Sequence, residues 1–345
     1  MSTGTGTEPS VPGDPTTVTL TAGDLQVALV STGAAVTRLL VGGGSGDGPE
    51  EGVNVVLGHQ HLSSYREVGG YLGTVVGRCA NRIDGGRLPL GGTTHQLVRN
   101  DRGNTLHGGS DGLDRREWRL EGATGTEATW SLTSPDGDQG FPGTLQVRVR
   151  YAVAPGVVSI EYTATTDAPT PVNLTNHAFF ALDGEGAGDT GGHLLGVDAD
   201  AYLPTREDQI PTGEVRDVEG TPFDLREAAE VSTVLAEEDD EQVRIAGGID
   251  HHYVVPGEGL RRHATLVGRS GRRLEVWSDQ RGIQVYTGAH FDGTLRGTSG
   301  SVYQRGAGIA LETQGFPDAV NHESFPSVLL RPGQTYRSRT EWHLT

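Results

Sequence analysis

The chain has 345 residues, 34% of them hydrophobic, with 53 glycines and 17 prolines. That is enough for two average domains or one large β domain, with many tight turns between its elements. The formal charge of −18 describes a solvated, self-repelling surface and argues against a nucleic-acid backbone as partner. All 27 basic residues are arginines, which excludes a Schiff base on a lysine of this chain and a phosphate loop of the GxxxxGK type.

Residues 1 to 15, rich in Thr, Gly, Pro and Ser, read as a disordered tail with neither the basic start nor the apolar centre of a secretory signal. The single Cys79 implies no internal disulfide and no oxidising compartment. No run approaches the roughly 18–20 apolar residues of a transmembrane helix, so neither a membrane nor a secretory address is expected. The expected location is the cytoplasm. The glycine-rich stretch 42–52 reads as a surface loop; no helix follows it, so it is not a dinucleotide site.

Further on, period-2 alternation dominates. Leu145, Val147, Val149, Tyr151 and Val153 alternate with Gln146, Arg148 and Arg150. Val158, Ile160 and Tyr162 do the same, as do Tyr336, Ser338, Thr340 and Trp342. Such patterns bury one face of an antiparallel sheet and leave the other to solvent. Residues 264–277 read as a hairpin turning at Ser270-Gly271. One segment, 225–241, is a fair helix candidate. With no repeat and no splitting linker, residues 16–345 are expected to form a single all-β domain, a large antiparallel β-sandwich.

Chemistry-bearing residues stand apart in sequence. Arg78, Asn81 and Arg82 precede a Gly-Gly turn, where an arginine either braces the turn or offers its planar fork to a ligand. His107 comes before two glycines that permit close approach. The GGSDG that follows fits a hydrolase elbow in letters alone, because Ser110 lacks the strand before it and the helix after it. His177 lies between an Asn-Leu-Thr-Asn run and Phe179-Phe180, a core histidine or a protonatable one. Glu312 directly follows Gly-Ile-Ala-Leu, and a carboxylate at the end of a buried strand is costly unless paired or functional. Asp250 and Gln284 add polar groups at strand edges, and the adjacent His251 and His252 would face opposite sides of a strand, a poor metal pair. No metal motif is present, and neither a metal nor another cofactor is expected.

Read in order, GRCANRIDG, NTLHGG, TNHAFF, IPTGEVRDVEGTPFDLR, GIDHHYV, GIQVYTG and LETQGFPDAVNHESFPSVLLRPGQTY resemble the aldose 1-epimerases, or galactose mutarotases, from about residue 18 to the C-terminus. The resemblance implies their supersandwich of antiparallel β-sheets with a sugar cleft on one sheet face. It implies an aldose as small-molecule partner and no cofactor. Glu312 aligns with the base that takes the anomeric hydroxyl proton, and His177 with the acid that protonates the ring oxygen. His107 aligns with a second histidine near the ring, and Asn81, Arg82, Asp250 and Gln284 with sugar-binding positions. Cys79, Leu113 and Ala178 depart from the family's usual residues.

Three rivals share parts of this set. An epimerase of hexose 6-phosphates needs arginines aimed at a phosphate, for which Arg78 and Arg305 are candidates. A glycoside hydrolase pairs two carboxylates about 5–9.5 Å apart, whereas the motifs here supply one carboxylate and two histidines. A non-catalytic sugar-binding protein would not need both proton-transfer groups. Monomer and homodimer are equally open.

Overall fold

The computed structural model of the chain describes residues 15–42 and 52–345. The stretches 1–14 and 43–51, which hold nearly all of the expected tail and glycine-rich loop, lie outside the described residues. Among those described, no helix is long and apolar enough to cross a membrane.

The alternating segments become neighbouring strands. Nine strands pair in the order Arg119–Ala123, Glu127–Ser134, Leu145–Ala154, Val157–Thr166, Tyr336–Leu344, Arg273–Ser278, Arg261–Val267, Leu194–Val197 and Ala229–Glu230, every pair antiparallel. A second sheet of six runs Phe179–Phe180, Ile309–Gln314, Gly282–Tyr286, Asp250–Val254, Ala201–Leu203 and Arg216–Asp217. A third, of four strands, runs from Thr17–Ala22 to Val53–Asn54.

The inward faces meet in one apolar cluster. Leu145, Val147, Val149 and Tyr151 of the nine-stranded sheet share it with Val18, Leu20 and Val27 of the four-stranded sheet and with Ile283, Val285, Ile309 and Leu311 of the six-stranded one. Each such side chain taken fully from water contributes about 1.5–3 kcal/mol. The large sheet is therefore one layer, and the two smaller sheets together are the other, an antiparallel β-sandwich as expected.

Because side chains alternate, burying Ile283, Val285, Ile309 and Leu311 turns Gln284, Tyr286, Ala310 and Glu312 to the opposite face of the six-stranded sheet. Register then aligns them: Glu312 lies opposite Gln284, which lies opposite His252, and Asp250 lies opposite Tyr286. His251 and His252 do face opposite ways. His251 packs on Tyr202 and Phe223, His252 on Phe316.

The hairpin 264–277 turns through Gly268–Arg272 as expected, with the Gly271 N–H donating to the Gly268 carbonyl. The helix expected over 225–241 is corrected. Ala229–Glu230 joins the large sheet, and within 225–240 only Val231–Leu235 is helical. A separate helix, Glu241–Ala246, starts where the Asp240 side chain accepts from the N–H groups of Gln242 and Val243. That cap ends the continuity that acidic residues suggested in sequence.

Candidate active site

Over the outward face of the six-stranded sheet lies a cavity of about 370 Å3, within the size range of small-ligand sites. Its walls include Asn81, Arg82, His107, His177, Asp250 and Glu312, brought together from five separate segments. Six of the seven residues singled out in the sequence are thus on one surface. Gln284 is the exception: it stands behind the wall and donates from Nε2 to Asp250 Oδ1 at 2.7 Å.

Glu312 and His177 are both buried and meet at 3.4 Å between Oε1 and Nε2. The Glu312 Oε2 and His177 Nδ1 atoms have no partner within the protein. Burial raises the carboxyl of Glu312 well above its usual range; the Asp250 carboxylate adds to this and Arg82 opposes it. For His177, burial lowers the basicity, an effect opposed by its own backbone and reinforced by His290.

His107 is oriented differently. It sits at φ +49° before two glycines, also at positive φ, and the Asn81 N–H donates to its Nδ1 at 3.1 Å. A backbone N–H only donates, so Nδ1 is the acceptor and neutral His107 carries its proton on Nε2. Burial first, then His177 and Arg82, hold it neutral.

This tautomer also answers the question of a metal. Ligand atoms of His107, His177 and Glu312 lie within 4.8 Å of one another, close enough to hold a cation. Yet Nδ1 of His107 is engaged and Nε2 is protonated, so His107 has no free lone pair to offer. The donor set fits hydrogen bonding to hydroxyls better than it fits an ion.

Arg82 donates to Asp101 at 2.8 Å, which fixes its guanidinium beside the cavity. Arg78 and Arg305 are elsewhere. Arg78 is buried and spends its donors on Ser134, Pro135, Pro142, Gly143 and Thr170, while Arg305 donates to the Gly247 carbonyl. Neither is on the cavity wall, so the arginine pair that a phosphate would need is not supplied by these two. Ser110 is exposed and meets only Gln139, and Cys79 is a packed thiol pushed up to about 12 by burial. The departing residues Cys79, Leu113 and Ala178 all lie in apolar clusters and not on the cavity wall.

Among the wall residues that the sequence reading missed are Tyr71, Arg102, Tyr286 and His290. Tyr286 was within reach of alternation, two residues after Gln284 on the same face. Tyr71 was not, since only a Gly-Gly pair before it marks the spot.

Fold and site together present a buried carboxyl and two buried imidazoles on the wall of a small-molecule cavity, groups whose chemistry is proton transfer. Comparison with known proteins narrows this. Residues 16–343 match the family described as aldose 1-epimerase. The chain is 41% identical over 320 residues to the galactose mutarotase of Bos taurus, covering 92% of this chain and 90% of that one. It is 38% identical over 295 residues to the aldose 1-epimerase of Escherichia coli K12, covering 83% and 84%. A solved aldose epimerase homologue from C. elegans superposes with a TM-score of 0.87 at 26% identity, covering 96% of this chain and 99% of that one. The chain belongs to the aldose 1-epimerase family, whose members interconvert the anomers of aldoses.

Proposed function

We propose that this chain interconverts the α and β anomers of free aldohexoses such as galactose and glucose, with Glu312 as base and His177 as acid. The observation that carries the reading is the contact of a buried carboxyl and a buried imidazole at 3.4 Å on the wall of one cavity.

The hemiacetal carbon C1 bears both the hydroxyl that must lose a proton and the ring oxygen that must gain one. Acid and base therefore have to be neighbours. Glu312 takes the proton from O1 as the C1–O1 bond becomes a carbonyl. The C1–O5 pair goes to the ring oxygen, which takes a proton from His177. Rotation about C1–C2 presents the other carbonyl face, and the same two transfers in reverse close the ring as the opposite anomer.

One proton serves the pair throughout. In the resting form that reacts, it is on His177 and Glu312 is charged; in the open-chain complex it is on Glu312 and His177 is neutral. Burial favours the second arrangement, so the cavity stabilises the enzyme form that accompanies the aldehyde.

A pH dependence follows from the same directions. The pair gains a second proton only well below the ordinary histidine midpoint of about 6.5, and loses its last one only well above the ordinary glutamate midpoint of about 4.3. The acid limb of the kcat/KM profile is therefore expected below pH ~6.5. An acid limb at or above that value would contradict the assignment of roles.

Asp250 and Arg82 are read as sugar-binding groups, with Gln284 holding Asp250. The loss of one charged hydrogen bond costs about 1.5–3 kcal/mol, roughly 10- to 100-fold in affinity. Asp250→Ala and Arg82→Met are expected to raise KM on that scale while lowering kcat less. Unchanged kinetic constants in both variants would withdraw these roles.

The direct test is polarimetry on freshly dissolved α-D-galactose and α-D-glucose at low temperature. Faster approach to the same equilibrium rotation supports the reading and ranks the sugars. No acceleration of either would overturn it for free hexoses.

A further inference from the structure

We propose that Tyr71 is a positioning residue for the acid, its ring fixing the His177 imidazole within the cavity wall. The inference rests on the reading of His177 as the acid and adds a residue that no motif pointed to.

An imidazole used for proton transfer is ordinarily oriented by a hydrogen bond on its second nitrogen. His107 has such a bond, from the Asn81 N–H. His177 has none: its Nδ1 is buried without a protein partner. Rings supply the restraint in its place. Tyr71 stacks on His177 at 5.6 Å between centroids and 23° between planes, and Phe179 packs against it at 4.8 Å. Tyr71 also lies 4.6 Å from the His107 ring, which is 5.1 Å from that of His177. One tyrosine thus sets the two histidines relative to each other.

The backbone beneath it is built for that placement. Tyr71 is held at φ +60°, an uncommon region for a bulky side chain and one that costs on the order of 1–3 kcal/mol. Gly69, Gly70 and Gly73 around it are at positive φ as well. A Cβ at position 73 would come within 2.0 Å of the Val36 carbonyl oxygen, so the loop can run only where a glycine stands. The same loop grips the His177 backbone: the Gly73 N–H donates to the His177 carbonyl at 3.0 Å, and the His177 N–H to Thr74 at 2.9 Å. Asn176 Nδ2 donates to the Gly73 carbonyl at 2.7 Å. Strain at a bulky aromatic residue, locked in place against the acid, is the pattern expected of a functional constraint.

The charged and titratable groups around this assembly are known. Glu312, His107 and His290 act on His177, and Asp114, Arg115, Asp101 and Arg82 act on the Tyr71 phenol. Removing the ring leaves these in place and admits water to one face of the imidazole.

Glycine accepts φ +60° without strain, so Tyr71→Gly removes the ring and keeps the loop; Tyr71→Asn is the second ring-less variant. Each is compared with wild type and Tyr71→Phe by polarimetric kcat and KM and by titration of 15N-labelled imidazoles. The ring-less variants are expected to lose at least about tenfold in kcat with KM within about threefold. Their His177 midpoint should rise by about one pH unit or more, as desolvation is relieved. Tyr71→Phe should keep the wild-type midpoint and kcat within about threefold. An unmoved His177 midpoint in both ring-less variants, as a purely structural role would give, overturns the proposal. So does a Tyr71→Phe variant as impaired as Tyr71→Gly, which would transfer the effect to the hydroxyl. If the wild-type protein accelerates no aldose, the functional reading fails by itself, and the imidazole titration still decides the role of Tyr71.

Discussion

Replacing Glu312 by glutamine is expected to lower kcat by about 10²–10⁴-fold, and His177→Asn by a similar factor, with KM changed little in either. Glutamine keeps the shape of the side chain and an acceptor oxygen, so what is lost is the capacity to receive a proton. Asparagine likewise leaves a polar group near Glu312 without an ionisable nitrogen. In the proposed mechanism the two groups pass one proton between them, so their effects should not multiply. The double variant should fall no more than about tenfold below the worse single one, as with other groups that act as a unit. Polarimetry on a fresh α anomer measures all three. A loss below about tenfold in both single variants would sink the assignment, because a positioned acid or base contributes more than that.

The sequence carried the strands and most of the cavity wall for separable reasons. Strands such as Leu145–Ala154 were legible because one side faces a core and the other water, so composition alternates with the pleat. Glu312 stood out because a carboxylate after a buried run needs a reason. That Glu312, Gln284 and His252 align across three strands was not legible, because register is set by pairing between residues tens of positions apart. For the same reason Gln284 was expected on the wall and is found behind Asp250. Tyr71 escaped because the role proposed for it comes from a positive φ and from the rings of His107 and His177, distant in sequence. The segment 225–241 misled in another way. Its composition favours a helix throughout, but pairing of Ala229–Glu230 with the large sheet and the Asp240 cap divide it.

Arg78 shows how structure decides between two readings that a sequence leaves open, and it carries the largest expected effect on stability. Its guanidinium is buried and makes six hydrogen bonds: two to the Ser134 and Thr170 hydroxyls and four to the carbonyls of Ser134, Pro135, Pro142 and Gly143. The Phe141 ring lies 5.7 Å from its central carbon. Burial lowers its basicity, and the nearby Asp138 opposes this. Arg78→Met would keep much of the volume and strand those carbonyls, each at about 1–3 kcal/mol where water cannot reach. A destabilisation of at least about 4 kcal/mol is expected, read from the shift of a urea midpoint. Lysine should not rescue it, since three donors on one nitrogen cannot span acceptors arranged around a planar fork. An Arg78→Lys protein within about 1 kcal/mol of wild type would show that charge alone, and not the fork, holds these loops. The residue stands three positions before Asn81 and four before Arg82, so the turns it ties together are the footing of that part of the cavity wall. Arg78 thus serves the cavity by bracing, while Arg82 is the arginine of this segment that reaches its wall.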